Sequence, residues 1–156
     1  MASLEDIHNF YAVNQEIASS GQPQVEQFKL IADAGYHSVI NLALPTSRGA
    51  IAEEGSIVTG LDMTYLHLPI KFEAPTVRDA QLFFAAVKAM ASHRVWIHCV
   101  VSARVSAFLF HFLRYEFNLT DEQATTPVMR AWLPQMDAVW QDFLTLTKAQ
   151  ITQGYR

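Results

Sequence analysis

Two side chains in this sequence stand close enough to act together on an anion: Cys99, the only cysteine among 156 residues, and Arg104. The segment around them reads Val95-Trp96-Ile97-His98-Cys99-Val100-Val101-Ser102-Ala103-Arg104-Val105-Ser106-Ala107-Phe108. Its opening reads as a short strand, the next few residues must turn, and a helix begins near Arg104. Backbone N–H groups at a helix N-terminus converge on one point and attract negative charge. The same field favours a thiolate over a thiol. Arg104 adds a permanent charge and a planar fork matched to two phosphate oxygens. A thiolate beneath a bound phosphate ester can attack phosphorus in line, while arginine and the loop amides stabilise the equatorial oxygens. The competing reading makes Cys99 a small core hydrophobe and Arg104 an exposed helix cation.

The elements that must position these residues follow from pattern. Ser3 and Asp6 form a capping pair, so a short helix is expected over roughly 3–12. A brief strand at 16–19 leads into Ser20-Gly21-Gln22-Pro23, with Pro23 suited to a helix start and Val25, Phe28 and Ile31 as its apolar stripe, ended by Gly35. Strands are expected at 36–43, 63–68 and 95–98, with a loop holding a short helix over 45–60. Thr76 and Asp79 cap a helix to about Ala91 that buries Val77, Phe83, Phe84, Val87 and Met90. The apolar run 105–117 predicts a central buried helix, and Thr120, Thr126-Pro127 and Leu133-Pro134 mark further starts, the last helix reaching about Gln153. Strands alternating with helices predict an α/β fold with a mostly parallel sheet of about four strands flanked by helices, over a single domain spanning 1–156. Such sheets place ligand sites beyond the carboxyl ends of their strands, which is where Cys99 falls.

Composition narrows the partners. A net charge of −4 provides no basic field for nucleic acid, and no polybasic run marks a membrane surface. No segment approaches the ~20 apolar residues that span a bilayer, and the N-terminus lacks the basic and apolar regions of a signal peptide, so a cytoplasmic protein is expected. One cysteine allows no internal disulfide, and no Cys-His spacing suits zinc. Neither metal nor cofactor enters this reading.

The order of motifs resembles the cysteine-dependent tyrosine and dual-specificity phosphatase superfamily. More narrowly it resembles a bacterial tyrosine-phosphatase-like branch first grouped as a domain of unknown function. The residues carrying the resemblance are Ser20-Gly21-Gln22-Pro23, Val39-Ile40-Asn41-Leu42, Leu68-Pro69-Ile70, and His98-Cys99 with Arg104-Val105-Ser106-Ala107-Phe108, with Trp132, Pro134 and Trp140 in the tail. It implies a dual-specificity-phosphatase-like fold and hydrolysis of phosphate monoesters, phosphotyrosine-like or other aryl phosphates, through a phosphocysteine on Cys99. Arg104 and the amides of Val100, Val101, Ser102, Ala103 and Arg104 would grip the phosphoryl group, Ser106 would join the substrate-binding set, and His98 would support the cysteine from behind. The implied partner is a phosphorylated small molecule or phosphoprotein.

Two departures stand out. Ordinary members place five residues between cysteine and arginine and follow the arginine with a hydroxyl; this chain has four, then Val105, then Ser106. Ser106 keeps the usual hydroxyl position while Arg104 arrives one residue early, a rotation of ~100° on a helix. The narrower branch shares this short loop. Second, the loop Pro69-Ile70-Lys71-Phe72-Glu73-Ala74-Pro75 carries Lys71 where relatives carry the aspartate that protonates the leaving oxygen. Glu73 is the nearest carboxylate and the candidate acid, since Asp79 is committed to its helix cap. General acid help is typically worth ~10²–10⁴-fold, and its loss matters least for a phenolic leaving group.

Two rivals remain open on sequence. A rhodanese-like sulfurtransferase also has four residues between cysteine and arginine, but usually Gly at the position of Ser102 and Tyr at that of His98. A non-catalytic phosphate-binding or regulatory module is favoured by the missing aspartate.

Overall fold

The computed structural model describes residues 2–153. A five-stranded sheet has the order β1 (Tyr11–Ala12), β2 (Ile17–Ser20), β5 (Val95–His98), β3 (Ser38–Asn41) and β4 (Thr64–His67). Only β1 runs antiparallel, and β2, β5, β3 and β4 are mutually parallel. The mostly parallel α/β architecture is thus as expected, with one short edge strand more than the four read from sequence.

Parallel strands need both faces covered, and β2, β3 and β5 are buried at every position. Side chains alternate across the sheet. Ile40, Val95 and Ile97 face a large core built with α3 (Val77–Met90) and α4 (Ala103–Phe117). Val39 and Trp96 face a smaller core with α1 (Gln27–Asp33) and α2 (Glu54–Gly60), through Phe28, Ile31 and Val58. The register aligns Ser20, His98, Asn41 and His67 as one polar row at the carboxyl ends of the strands. Cys99 lies immediately beyond that row.

Local signals explain most boundaries. Thr76 accepts from the Asp79 amide at 3.0 Å and Asp79 returns the bond to the Thr76 amide at 2.9 Å, starting α3. Thr120 caps α5 (Asp121–Ala124), Pro127 stands at the start of α6 (Pro127–Trp132), and Gly35 ends the α1 region at φ +95°.

Several expectations require correction. The segment 3–12 contains a single 3₁₀ turn, Leu4–Asp6, with its capping box intact, and then β1. Only Ile7 is buried there, so no apolar stripe holds a longer helix, and Asn9 turns the chain at φ 55°. The helix expected from Pro23 begins at Gln27, and Val25 is exposed. Residues 22–26 instead border the loop after β5. Val77 is exposed on the first turn of α3. The long last helix is broken into a 3₁₀ turn Leu133–Gln135, α7 (Ala138–Leu144) and α8 (Lys148–Thr152). The Asp137 side chain caps α7 and that of Thr147 caps α8, each a local hydrogen bond that restarts the chain.

Candidate active site

The turn from β5 to α4 is Cys99-Val100-Val101-Ser102. Cys99, Ser102, Ala103 and Arg104 are buried, Val100 is half-buried and Val101 is exposed. Each carbonyl of the turn is held from behind. His98 Nδ1 donates to the Cys99 carbonyl at 3.1 Å, because a carbonyl can only accept. The Gln22 amide donates to Val100 at 2.9 Å and Asn9 Nδ2 to Val101 at 2.8 Å. The Ser106 amide takes the Ser102 carbonyl at 2.9 Å, and its hydroxyl donates to the Ala103 carbonyl at 2.7 Å.

A trans peptide directs its C=O and N–H to opposite sides, and the described residues contain no cis bond. Pinning the carbonyls of residues 99–103 on one side therefore turns the amides of 100–104 to the other. The amides of Val100, Val101 and Ser102 meet no acceptor among the described residues. Successive free amides of this kind make an anion-binding concavity. Ser102 supplies the bend with φ +74°, a left-handed conformation that favours glycine.

Arg104 is 6% exposed. Its Nη1 donates to the Ile70 carbonyl at 2.9 Å, while its buried Nε has no partner among the described residues. An unpartnered buried guanidinium nitrogen is costly unless a ligand satisfies it, and a tetrahedral oxyanion is the matching acceptor. Arg104 therefore is not an exposed helix cation, and the core-filler reading of the pair fails at this residue.

The Ser-Gly-Gln-Pro motif acquires a physical reason. A Cβ on Gly21 would lie 2.5 Å from the Val100 carbonyl oxygen and 2.7 Å from His8, so only glycine permits that approach. The Gln22 amide consequently reaches Val100, and its side chain donates to Glu54 Oε1 at 2.8 Å. Ser20 takes the Trp96 indole N–H at 2.8 Å.

Behind His98 lies Glu54, which sequence reasoning missed. Its Oε2 is 2.7 Å from His98 Nε2, and both residues are at most 2% exposed. Burial pushes the Glu54 carboxyl up, but the hydrogen bond and charge of His98, with bonds from Gln22 and Tyr65, hold it below the usual range. Tyr65 is pushed up to about 12 by burial and the neighbouring Glu54 charge, against the Asn41 hydrogen bond. Asn9 was also missed. No local pattern marks either residue: Glu54 meets a partner 44 positions away and Asn9 one 92 away.

The 69–75 loop is anchored over this region. Arg104 holds the Ile70 carbonyl, and Trp140 Nε1 donates to the Phe72 carbonyl at 2.7 Å. The Phe72 ring lies 5.8 Å from Arg104 Cζ and packs against Trp132 and Trp140. Lys71 and Glu73 are exposed, and Glu73 makes no hydrogen bond or ion pair among the described residues. Asp79 is occupied by its cap. His67 meets the Ala43 carbonyl at 2.6 Å, a bond that ties β4 to the end of β3. No cluster of three or more His, Cys, Asp or Glu suited to a metal occurs among the described residues.

No protein-family profile matches the chain, and no curated protein sequence matches it. Solved structures do. A DUF442 candidate phosphatase from Shewanella putrefaciens CN-32 is 31% identical, covers 96% of this chain and 97% of its own, and superposes with a TM-score of 0.85. The core catalytic domain of the PP-IP phosphatase SIW14 from S. cerevisiae, at 17% identity over 92% of this chain and 87% of its own, shares the fold with a TM-score of 0.74. Tk-PTP in its active form does so at 19% identity over 87% and 93%, with a TM-score of 0.66. These two similarities show the fold alone. At 31% identity over nearly the full length of both chains, this protein belongs to the DUF442 phosphatase-like branch of the cysteine-dependent tyrosine and dual-specificity phosphatase superfamily.

Proposed function

We propose that this phosphatase hydrolyses aryl phosphate monoesters through a phosphocysteine on Cys99. The observation that carries the proposal is the loop's arrangement: carbonyls pinned behind it, free amides in front, and a buried Arg104 Nε awaiting an acceptor. The substrate phosphoryl group sits on the amides of Val100 to Arg104, bridged by the guanidinium. The Cys99 thiolate attacks phosphorus, the P–O bond to the leaving group breaks, and its electron pair leaves as aryloxide. Water then attacks the phosphocysteine, releasing inorganic phosphate and regenerating the thiolate. His98 supports the nucleophile by fixing its carbonyl.

An aryl group is favoured for two reasons. The partly exposed Phe72 ring stands beside Arg104 and offers an aromatic wall. Phenolate also leaves with little protonation, which suits a loop holding Lys71 where an aspartate is usual. Glu73 is the candidate proton donor. Ser106 is a candidate substrate-binding residue, and its hydroxyl, donating to the Ala103 carbonyl, also steadies the cradle. A phosphorylated small molecule or phosphoprotein is the substrate partner. A reduced thiol nucleophile suits a cytoplasmic location, and no helix among the described residues is long and apolar enough to cross a membrane.

Turnover of para-nitrophenyl phosphate beside thiosulfate-to-cyanide sulfur transfer tests this reading. Release of phosphate without thiocyanate supports it. Thiocyanate alone would install the sulfurtransferase, and oxyanion binding with neither turnover would leave a phosphate-binding module.

A further inference from the structure

Glu54 is a carboxylate buried at 2% exposure whose part in the reaction is not explained by contact with substrate. Its two oxygens face His98 and Gln22, with the Tyr65 hydroxyl as a further hydrogen-bond neighbour. Oε2 meets His98 Nε2 at 2.7 Å, and Oε1 meets Gln22 Nε2 at 2.8 Å. Each of those residues has a second function at the loop. His98 uses its other ring nitrogen on the Cys99 carbonyl, and Gln22 uses its backbone amide on the Val100 carbonyl. One side chain thus stands behind two consecutive peptide groups, and those are the groups whose amides, at Val100 and Val101, open the anion cradle. Burying a carboxylate is unfavourable unless its hydrogen bonds are made, so both ties are held firmly.

We propose that Glu54 is a positioning residue for the phosphate loop: gripping His98 and Gln22 together, it holds the Cys99 and Val100 carbonyls behind the loop and keeps the amides of Val100 and Val101 turned toward the phosphoryl group. The inference rests on the phosphatase reading of the loop. It assigns the specificity of the effect to reach rather than to charge. An amide side chain of equal length can accept from Gln22 with its oxygen and donate to a neutral His98 with its nitrogen, preserving both ties. Aspartate keeps the charge but retracts the carboxylate by about 1.5 Å, too far to span both donors.

The test compares Glu54→Gln, Glu54→Asp and Glu54→Leu with the wild-type protein, scoring tungstate affinity, kcat/KM for para-nitrophenyl phosphate, thermal unfolding, and the amide 15N shifts of Val100 and Val101 without ligand. The expected order is wild type, then Gln within about tenfold, then Asp and Leu weaker by ~10²-fold in both affinity and kcat/KM. The Val100 and Val101 amide shifts should move in Asp and stay near wild type in Gln. Should the leucine variant fail to fold, the Gln-against-Asp order decides alone. Folded variants with lowered Tm but unchanged tungstate affinity and kcat/KM would reduce Glu54 to core structure and overturn the proposal. Asp outperforming Gln would overturn it in favour of a purely electrostatic role. Wild-type protein that neither binds tungstate nor turns over ester refutes the phosphatase reading, while the amide shifts still judge Glu54 independently.

Discussion

Arg104 Nη1 donates to the carbonyl oxygen of Ile70 at 2.9 Å, joining the phosphate loop to the loop that follows β4. The bond uses one edge of the guanidinium and leaves Nε buried and unpaired. With one residue fewer between cysteine and arginine than in ordinary members of the superfamily, this tie would fix the direction from which Arg104 meets a bound phosphoryl group. Lysine has no second prong: it can hold Ile70 or the phosphoryl group, not both. Arg104→Lys should therefore lose ~10²–10³-fold in kcat/KM while unfolding cooperatively near the wild-type temperature. Steady-state kinetics with a thermal melt checks this.

Lys71 and Glu73 flank Phe72 on a loop pinned at both the Ile70 and Phe72 carbonyls. Placing a carboxylic acid at 71 should restore proton donation to the leaving oxygen. Lys71→Asp is expected to raise kcat on alkyl phosphates by ~10-fold or more and to change aryl phosphates less. If Glu73 is the working acid, Glu73→Gln selectively lowers the alkyl rate. An unchanged alkyl rate in Glu73→Gln would remove that role.

Ser102 holds φ +74° at the tip of the cradle. A glycine there avoids the left-handed strain, whereas a β-branched side chain aggravates it. Ser102→Gly should keep stability within about 1 kcal/mol of wild type and retain tungstate binding, while Ser102→Val should lose about 1–3 kcal/mol and most of the binding. Urea denaturation and a tungstate titration read the two effects separately.

The strand, the turn and the helix around Cys99 are legible because each is written within a few residues: a short Val-Trp-Ile run, an interruption holding Ser102, then a largely apolar helix. The cap of α3 was legible for the same reason. What was not legible depends on long-range encounter. Glu54 lies in a stretch that reads as loop, and its burial follows only when β3, β4 and β5 bring His98 over it. Asn9 reaches Val101 because β1 turns the N-terminal segment back against the sheet, a pairing of two residues that no periodicity announces. Gly21 carries no local signal beyond its place after β2, and its necessity comes from the Val100 carbonyl just beyond the neighbouring strand β5. Glu73 is the nearest carboxylate in sequence, but no partner among the described residues aims it.

His111 is buried beside Arg114 and donates through Nε2 to the Phe143 carbonyl at 2.8 Å. Burial chiefly, with the Arg114 charge, lowers its pKa to about 4, against the backbone bond that raises it. The unfolded chain then binds a proton near pH 6.5 that the folded chain refuses until about pH 4. Stability is therefore full above pH 6.5 and falls as pH drops toward 4. His111→Gln, which can still donate to Phe143, should flatten Tm across that window and cost no more than ~1–2 kcal/mol at pH 7.5. Melting curves from pH 4 to 8 supply the comparison.

The covalent step on Cys99 is read by rapid quench of the protein during turnover of para-nitrophenyl phosphate, followed by peptide mass spectrometry. One phosphoryl group is expected on the peptide containing Cys99, absent from the Cys99→Ser protein, which should also lose hydrolysis while still folding. Undiminished hydrolysis by Cys99→Ser, or full wild-type turnover with the phosphoryl group found on another residue, would contradict it.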